Sequence, residues 1–164
     1  MVDKLDAELI ALLAAEPRLG VFEASRRLGV ARGTVQARLD RLQRSGVVQD
    51  FAPTVDPELL GYPVTAFVTA ELATGEDGGG VVDRLRGIPE VLEAHTITGA
   101  GDLLIRAVAR SNADLKRVIG RIVGAPGIVR TSTVIALATA IPYRTVPLVQ
   151  ATVATDDATE EENG

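Results

Sequence analysis

The 164-residue chain contains no cysteine and no tryptophan, a single histidine, and only 3% aromatic residues: Phe22, Phe51, Phe67, Tyr62 and Tyr143. Each scarcity excludes a class of protein. Without thiols there is no disulfide framework, no Cys-ligated zinc, no iron–sulfur cluster and no cysteine nucleophile. With so few rings the core must be aliphatic, and stacking of unpaired bases on an aromatic platform is disfavoured. His95 stands beside Glu93 in strand-like sequence with no second imidazole, so it reads as a polar strand residue and no metal site is expected. No Gly-x-Ser-x-Gly surrounds Ser25, Ser45, Ser111 or Ser132, and no carboxylate pair stands out from surface charge. Catalytic residues, cofactors and enzyme activity are therefore not expected. A dinucleotide loop fails because Leu104 stands where the third glycine belongs, and no Walker lysine follows Gly78 to Gly80. The longest apolar stretch, near Val134 to Ile141, is far short of the ~20 residues a membrane helix needs. The N-terminus is acidic and amphipathic, unlike a signal peptide, so a cytoplasmic protein with no membrane partner is expected.

What is present is 46% apolar residues, enough to bury roughly two-thirds of the unfolded surface at this length, in one domain or two small lobes. The net charge of −5 argues against a nucleic-acid partner only as an average. From Pro17 to Ser45 seven arginines face only Glu23 and Asp40, a local +5. From Gln150 onward Asp156, Asp157, Glu160, Glu161 and Glu162 meet no basic residue, and this segment (150–164) reads as a disordered acidic tail.

Leu5, Leu9, Leu12 and Leu13 form the apolar stripe of a first helix, which Pro17 ends. Phe22 to Leu28 reads as a short second helix closed by Gly29, and Arg32 to Arg44 as a third, with Val35, Leu39 and Leu42 on one face and Gly33, Ala37, Arg41 and Arg44 opposite. Val47, Val48 and Phe51 read as a short strand or extended exit, followed by a linker over 51–63 rich in proline and glycine. Then strand and helix signals alternate: Val64 to Leu72, a flexible glycine break at Gly75 and Gly78 to Gly80, a helix with Val82, Leu85 and Ile88, strands at about 91–98 and 103–109, a helix capped by Ser111 or Asn112, and a strand from Ile128 to Leu137. Arg144 to Val149 allow one more short strand.

The implied architecture is α+β: a helix-turn-helix domain over 1–50, resembling a winged helix, and a ferredoxin-like βαββαβ domain over 64–149. The two hairpin strands are expected at the centre of the sheet, flanked by the outer two. Helices cover one sheet face, and a second subunit is expected on the other, making a homodimer.

Two constellations carry chemistry. A helix pair joined by a tight glycine turn places its second helix in the major groove of double-stranded DNA. There Arg32, Thr34 and Gln36 can donate to base edges, Gly33 and Ala37 allow close approach, and Arg38, Arg41 and Arg44 can neutralise phosphates. The second is the turn Gly99-Ala100-Gly101-Asp102 with Thr131 and Thr133 on the last strand. Its backbone N–H groups suit a carboxylate and Asp102 suits an ammonium group, the two charges of a free amino acid, although such a turn is also common as a plain hairpin.

The ordered segments LDAELIALLAAEPR, ASRRLGVARGTVQARLDRLQRSGVV, VDPELLG, IPEVLEAHTITGAGDLLI and APGIVRTSTVIAL resemble the Lrp/AsnC, or feast/famine, family of transcription regulators over about residues 3 to 140. The resemblance implies an N-terminal helix-turn-helix and a C-terminal oligomerisation domain. It also implies dimers assembling into tetramers, octamers or larger rings, with an amino-acid or related small-molecule effector between C-terminal domains. The recognition helix falls on Ala31 to Arg44, and the effector turn on Gly99, Gly101 and Asp102 with Thr131 and Thr133 opposite. This chain departs from the family in carrying Ala31 where serine is frequent, Phe51 where tyrosine is frequent, and Gly-Ala-Gly-Asp in place of a Gly-Asp-Tyr-Asp type of turn. The alternative is a small-molecule-binding module acting on a protein partner without specific DNA recognition, against which the basic segment argues.

Overall fold

The computed structural model describes residues 2–73 and 79–162. They fall into two compact units, one of Met1–Pro53 with Ile141–Gly164 and one of Thr54–Ala140. The segment expected as a free linker is thus divided at Pro53/Thr54, and residues 141–149 group with the helices of the first unit rather than with the sheet.

In the first unit, α1 (Lys4–Ala15) starts at a reciprocal capping box. The Asp3 carboxylate accepts the Asp6 N–H at 2.9 Å, and the Asp6 carboxylate accepts the Asp3 N–H at 3.0 Å. Helix α2 (Val21–Leu28) ends on Gly29 in the left-handed region (φ 64°), and the Val30 N–H reaches back to the Ser25 carbonyl at 3.1 Å. A side chain at Gly29 would strain that turn, so glycine there sets the geometry with which α3 (Arg32–Arg44) begins. Leu9, Ala24, Val35 and Leu42 form the buried centre, with Ile10, Leu12, Leu13, Leu28 and Val48 packed around it.

Of the two readings of the exit from α3, the extended one holds and the strand does not: Val47, Val48 and Phe51 lie in irregular chain, with no strand between α3 and Pro53. A second expectation fails in this unit. The segment from 146, expected as a possible short strand and then a disordered tail, is instead helix α6 (Val146–Glu162). It packs along α1 and buries Val153, a contact that offsets the ordering entropy of a polar sequence.

The second unit contains β1 (Val64–Leu72), α4 (Gly79–Arg86), β2 (Val91–Thr96), β3 (Leu103–Ala109), α5 (Asn112–Val123) and β4 (Ile128–Ala136). Gly79 and Gly80 open α4, while Gly75 and Gly78 of the expected glycine break lie outside the described residues. Ser111 caps α5 by accepting the Asp114 N–H at 3.1 Å. The sheet is antiparallel in the order β2-β3-β1-β4. The hairpin strands are therefore not both central: β2 lies at an edge, and β1 and β3 form the middle. Burial explains the arrangement. Ala66, Val68 and Ala70 of β1 and Leu103, Ile105 and Ala107 of β3 are buried beneath Val81 and Leu85 of α4 and Leu115, Val118 and Ile122 of α5. The β2 sequence VLEAHT has no such stripe and stays exposed. The opposite sheet face carries Phe67, Leu104 and Val134, the last 63% exposed in the single chain. Among the described residues no helix is long and apolar enough to cross a membrane.

Candidate functional site

The first site grows from α3. Val35 and Leu42 anchor it to the core, which turns Arg32, Gly33, Thr34, Gln36, Ala37 and Arg44 to solvent. Among the described residues Arg32 makes no ion pair, so its guanidinium stands open at the first turn of the helix. Gln36 donates to Asp40 Oδ1 at 2.7 Å, and Arg44 Nε to the Asp40 carbonyl at 3.2 Å, both lying along the exposed face. Ala31, in extended backbone before the helix, offers no side-chain cap.

Arg38 and Arg41 are placed differently from the open cationic stripe expected of them. Arg38 Nη1 lies 2.7 Å from Asp3 Oδ1 and 2.8 Å from Asp6 Oδ1, and Arg41 Nη2 pairs with Asp6 Oδ2. The Asp6 side chain is completely buried. Burial alone would raise its carboxyl pKa, but hydrogen bonds from Arg41, the Asp3 backbone and Arg38 outweigh burial and hold it below the ordinary value. Asp3 is likewise held low, chiefly by its hydrogen bond from Arg38. Sequence reasoning missed this cluster, although Asp3-Lys4-Leu5-Asp6 has the spacing of a capping box and could have marked both acids as engaged at the start of α1.

The second site is the β2–β3 turn. Gly99 has φ 108°, which only glycine adopts readily. At Gly101 a Cβ would lie 2.5 Å from Thr69 Cγ2 and 3.1 Å from the Ala70 carbonyl oxygen, so the turn approaches β1 too closely for any side chain. The Asp102 N–H donates to the Ala70 carbonyl at 2.9 Å, and Asp102 Oδ2 accepts the Leu72 N–H at 2.7 Å. Asp102 thereby extends the β1–β3 ladder beyond its last residue pair. Ala100 is exposed. On the far side of β1, Thr131 pairs with Ala70 and Thr133 with Val68, both half-buried. The structure therefore brings Gly101, Asp102 and Thr131 around one end of β1, with Thr133 two residues further along. On the open sheet face His95 Nε2 lies 3.5 Å from Glu93 Oε2, in an exposed pair. Among the described residues no group of three or more His, Cys, Asp or Glu is placed to hold a metal ion.

Residues 65–146 match the family described as Lrp/AsnC ligand binding domain, and residues 2–49 match that described as winged helix-turn-helix DNA-binding. The HTH-type transcriptional regulator FL11 of Pyrococcus horikoshii is 30% identical over 84% of this chain and 91% of its own length. The solved structure of E. coli AsnC covers 90% of this chain and 99% of its own at a TM-score of 0.82 and 28% identity. A feast or famine regulatory protein from M. tuberculosis, solved in complex with L-methionine, covers 88% and 97% at a TM-score of 0.78 and 28% identity. Helix-turn-helix, antiparallel sheet and both family matches agree, and the chain belongs to the Lrp/AsnC family, whose members are transcriptional regulators and not enzymes.

Proposed function

We propose that the chain is a sequence-specific regulator that acts as a homodimer or higher homo-oligomer and is modulated by an amino acid bound between its sheet units. The observation that carries the DNA-binding half is the exposed first half of α3. Arg32, Thr34 and Gln36 present donors to base edges, Gly33 and Ala37 leave room for the backbone to approach, and Arg44 meets a phosphate. On the open face Phe67, Leu104 and the exposed Val134 form an apolar patch bordered by Arg106, Glu93 and His95, and an apolar patch with a polar rim supports self-association.

For the effector, turn N–H groups of Gly99 to Gly101 and the hydroxyls of Thr131 and Thr133 suit a carboxylate, and the Asp102 oxygen not engaged by Leu72 suits an ammonium group. The L-methionine complex of the M. tuberculosis relative supports the same ligand class. An effector that favours one assembly would shift the spacing of the recognition helices by linkage. The test is thermal unfolding of the purified protein against each of the twenty amino acids at millimolar concentration. A ligand at 100 times its Kd adds about 2.7 kcal/mol to the native state, a readable upward shift. A selective shift that Asp102→Ala abolishes supports the site. A flat panel overturns the amino-acid effector, and an unchanged affinity in Asp102→Ala removes that residue from the site.

A further inference from the structure

The recognition helix is tied to α1 by a polar clamp in a small, otherwise aliphatic domain. Asp6 is a completely buried carboxylate whose two oxygens are divided between two arginines of α3, Oδ1 taking Arg38 and Oδ2 taking Arg41. Arg38 spans from Asp6 to Asp3, 2.5 Å from Asp3 Oδ2. Arg38 and Arg41 are three residues apart, one turn of helix, so both reach the same end of α1. Leu9, Val35 and Leu42 pack the two helices together, and aliphatic packing constrains their rotation and sliding less sharply than directional bonds do. Charge-assisted hydrogen bonds to a buried carboxylate are directional, and a helix rotated away from them would leave that charge unpaired.

We propose that Asp6, with Asp3, is a positioning residue for DNA recognition: it holds Arg38 and Arg41 against α1, so that these arginines set the presentation of α3 instead of binding phosphates. The inference rests on the DNA-binding reading above, and gives Arg38 and Arg41 a role other than the phosphate contact their sequence positions suggest. Arg38 keeps 26% of its side chain exposed and Arg41 46%, each with its guanidinium hydrogen-bonded to the start of α1, whereas Arg32, Gly33, Thr34, Gln36, Ala37 and Arg44 are exposed along the outward surface of α3.

The experiment measures the salt dependence of binding of the full chain to a mixed-sequence duplex, from about 50 to 200 mM salt, for which each phosphate contact contributes about one unit of log–log slope. Arg38→Gln and Arg41→Gln are expected to weaken binding while leaving the slope within about a third of a unit of wild type. Asp6→Asn is expected to steepen the slope by about one unit, because a released guanidinium becomes available to the backbone. Asp3→Asn tests the same point with less risk to folding, since asparagine caps a helix as well as aspartate does and only the charge for Arg38 is lost. It too should steepen the slope. A slope flattened by one unit in either arginine variant would show that the arginine touches phosphate and would overturn the proposal. Unchanged slopes in both aspartate variants, with only thermal stability reduced, would make the cluster merely structural and would also overturn it. Absence of duplex binding by the wild-type chain would instead refute the DNA-binding reading itself.

Discussion

Arg26 pairs with Glu23 at 3.2 Å, Arg27 pairs with Glu16 and Glu23, and Arg38 and Arg41 pair with Asp3 and Asp6. Among the described residues, four of the seven arginines between Pro17 and Ser45 thus have carboxylate partners, and three of those partners, Asp3, Asp6 and Glu16, lie before residue 17. The exposed pairs contribute little to stability, about 0–1 kcal/mol each, because water and salt screen them. Asp6 differs because its side chain is removed from water. Its folded carboxyl is held below the unfolded value by Arg41 and Arg38 of α3 and the Asp3 N–H of its own helix end, acting against burial and the neighbouring Asp3 charge. A group lowered in the folded state stabilises above its unfolded pKa of about 4, and that contribution is lost as pH falls through the folded value. Melting temperature is therefore expected to be insensitive to these acids between pH 7 and 5 and to fall below about pH 4. In Asp6→Asn the midpoint should be lower at pH 7, and its gap from wild type should close with acidification. A gap that stays constant from pH 7 to 3 would show that the ionised carboxylate contributes nothing to folding.

At the scale of elements, α3 begins without a side-chain cap because Ala31 occupies the N-cap in extended backbone, the conformation a capping serine adopts (φ −63°, ψ 144°). Ala31→Ser should therefore supply the missing acceptor and stabilise the first unit by about 1 kcal/mol, read by denaturant unfolding. No gain would mean that the start of α3 is not limiting. Helices α1 to α3 and strands β1 and β3 were legible because apolar spacing and flanking breakers acted together: Val35, Leu39 and Leu42 on one face, Gly29 before, Gly46 after. The sheet order was not legible. A tight β2–β3 hairpin fixes adjacency but not which of its strands meets β1, and that choice depends on the buried alternation of β3, LLIRAVA, against the exposed β2. Helix α6 was hidden for a related reason. Its sequence is polar with five acids near its end, and its order comes from packing along α1, a tertiary contact that composition does not record. Of the candidate sites, the exposed positions on α3 and the turn glycines could be placed from local sequence. The engagement of Arg38, Arg41 and Asp102 could not, because each meets a partner about thirty residues away.

For the whole molecule, charge is unevenly distributed along the chain in a way that bears directly on DNA association. The net −5 equals the charge of the five acids in the last nine residues, all of them on or after the second half of α6, and the remainder of the chain is neutral overall. A net negative charge carried by the chain is expected to oppose the approach of a polyanion. Salt screens the opposition beyond a Debye length of about 10 Å at 0.1 M, so it is strongest at low salt. Two variants separate charge from packing. Replacing Asp156, Asp157, Glu160, Glu161 and Glu162 by their amides removes the charge and keeps the helix length. Deleting residues 146–164 also removes Val153 from its buried position. Both are expected to bind a mixed-sequence duplex more tightly than wild type at 50 mM salt and to approach wild type as salt rises toward 0.5 M. Only the deletion should lower the melting temperature of the protein without DNA. Equal duplex affinity of the amide variant and wild type at low salt would show that the acidic end of α6 exerts no field where DNA binds, leaving support of α1 as the contribution of that helix.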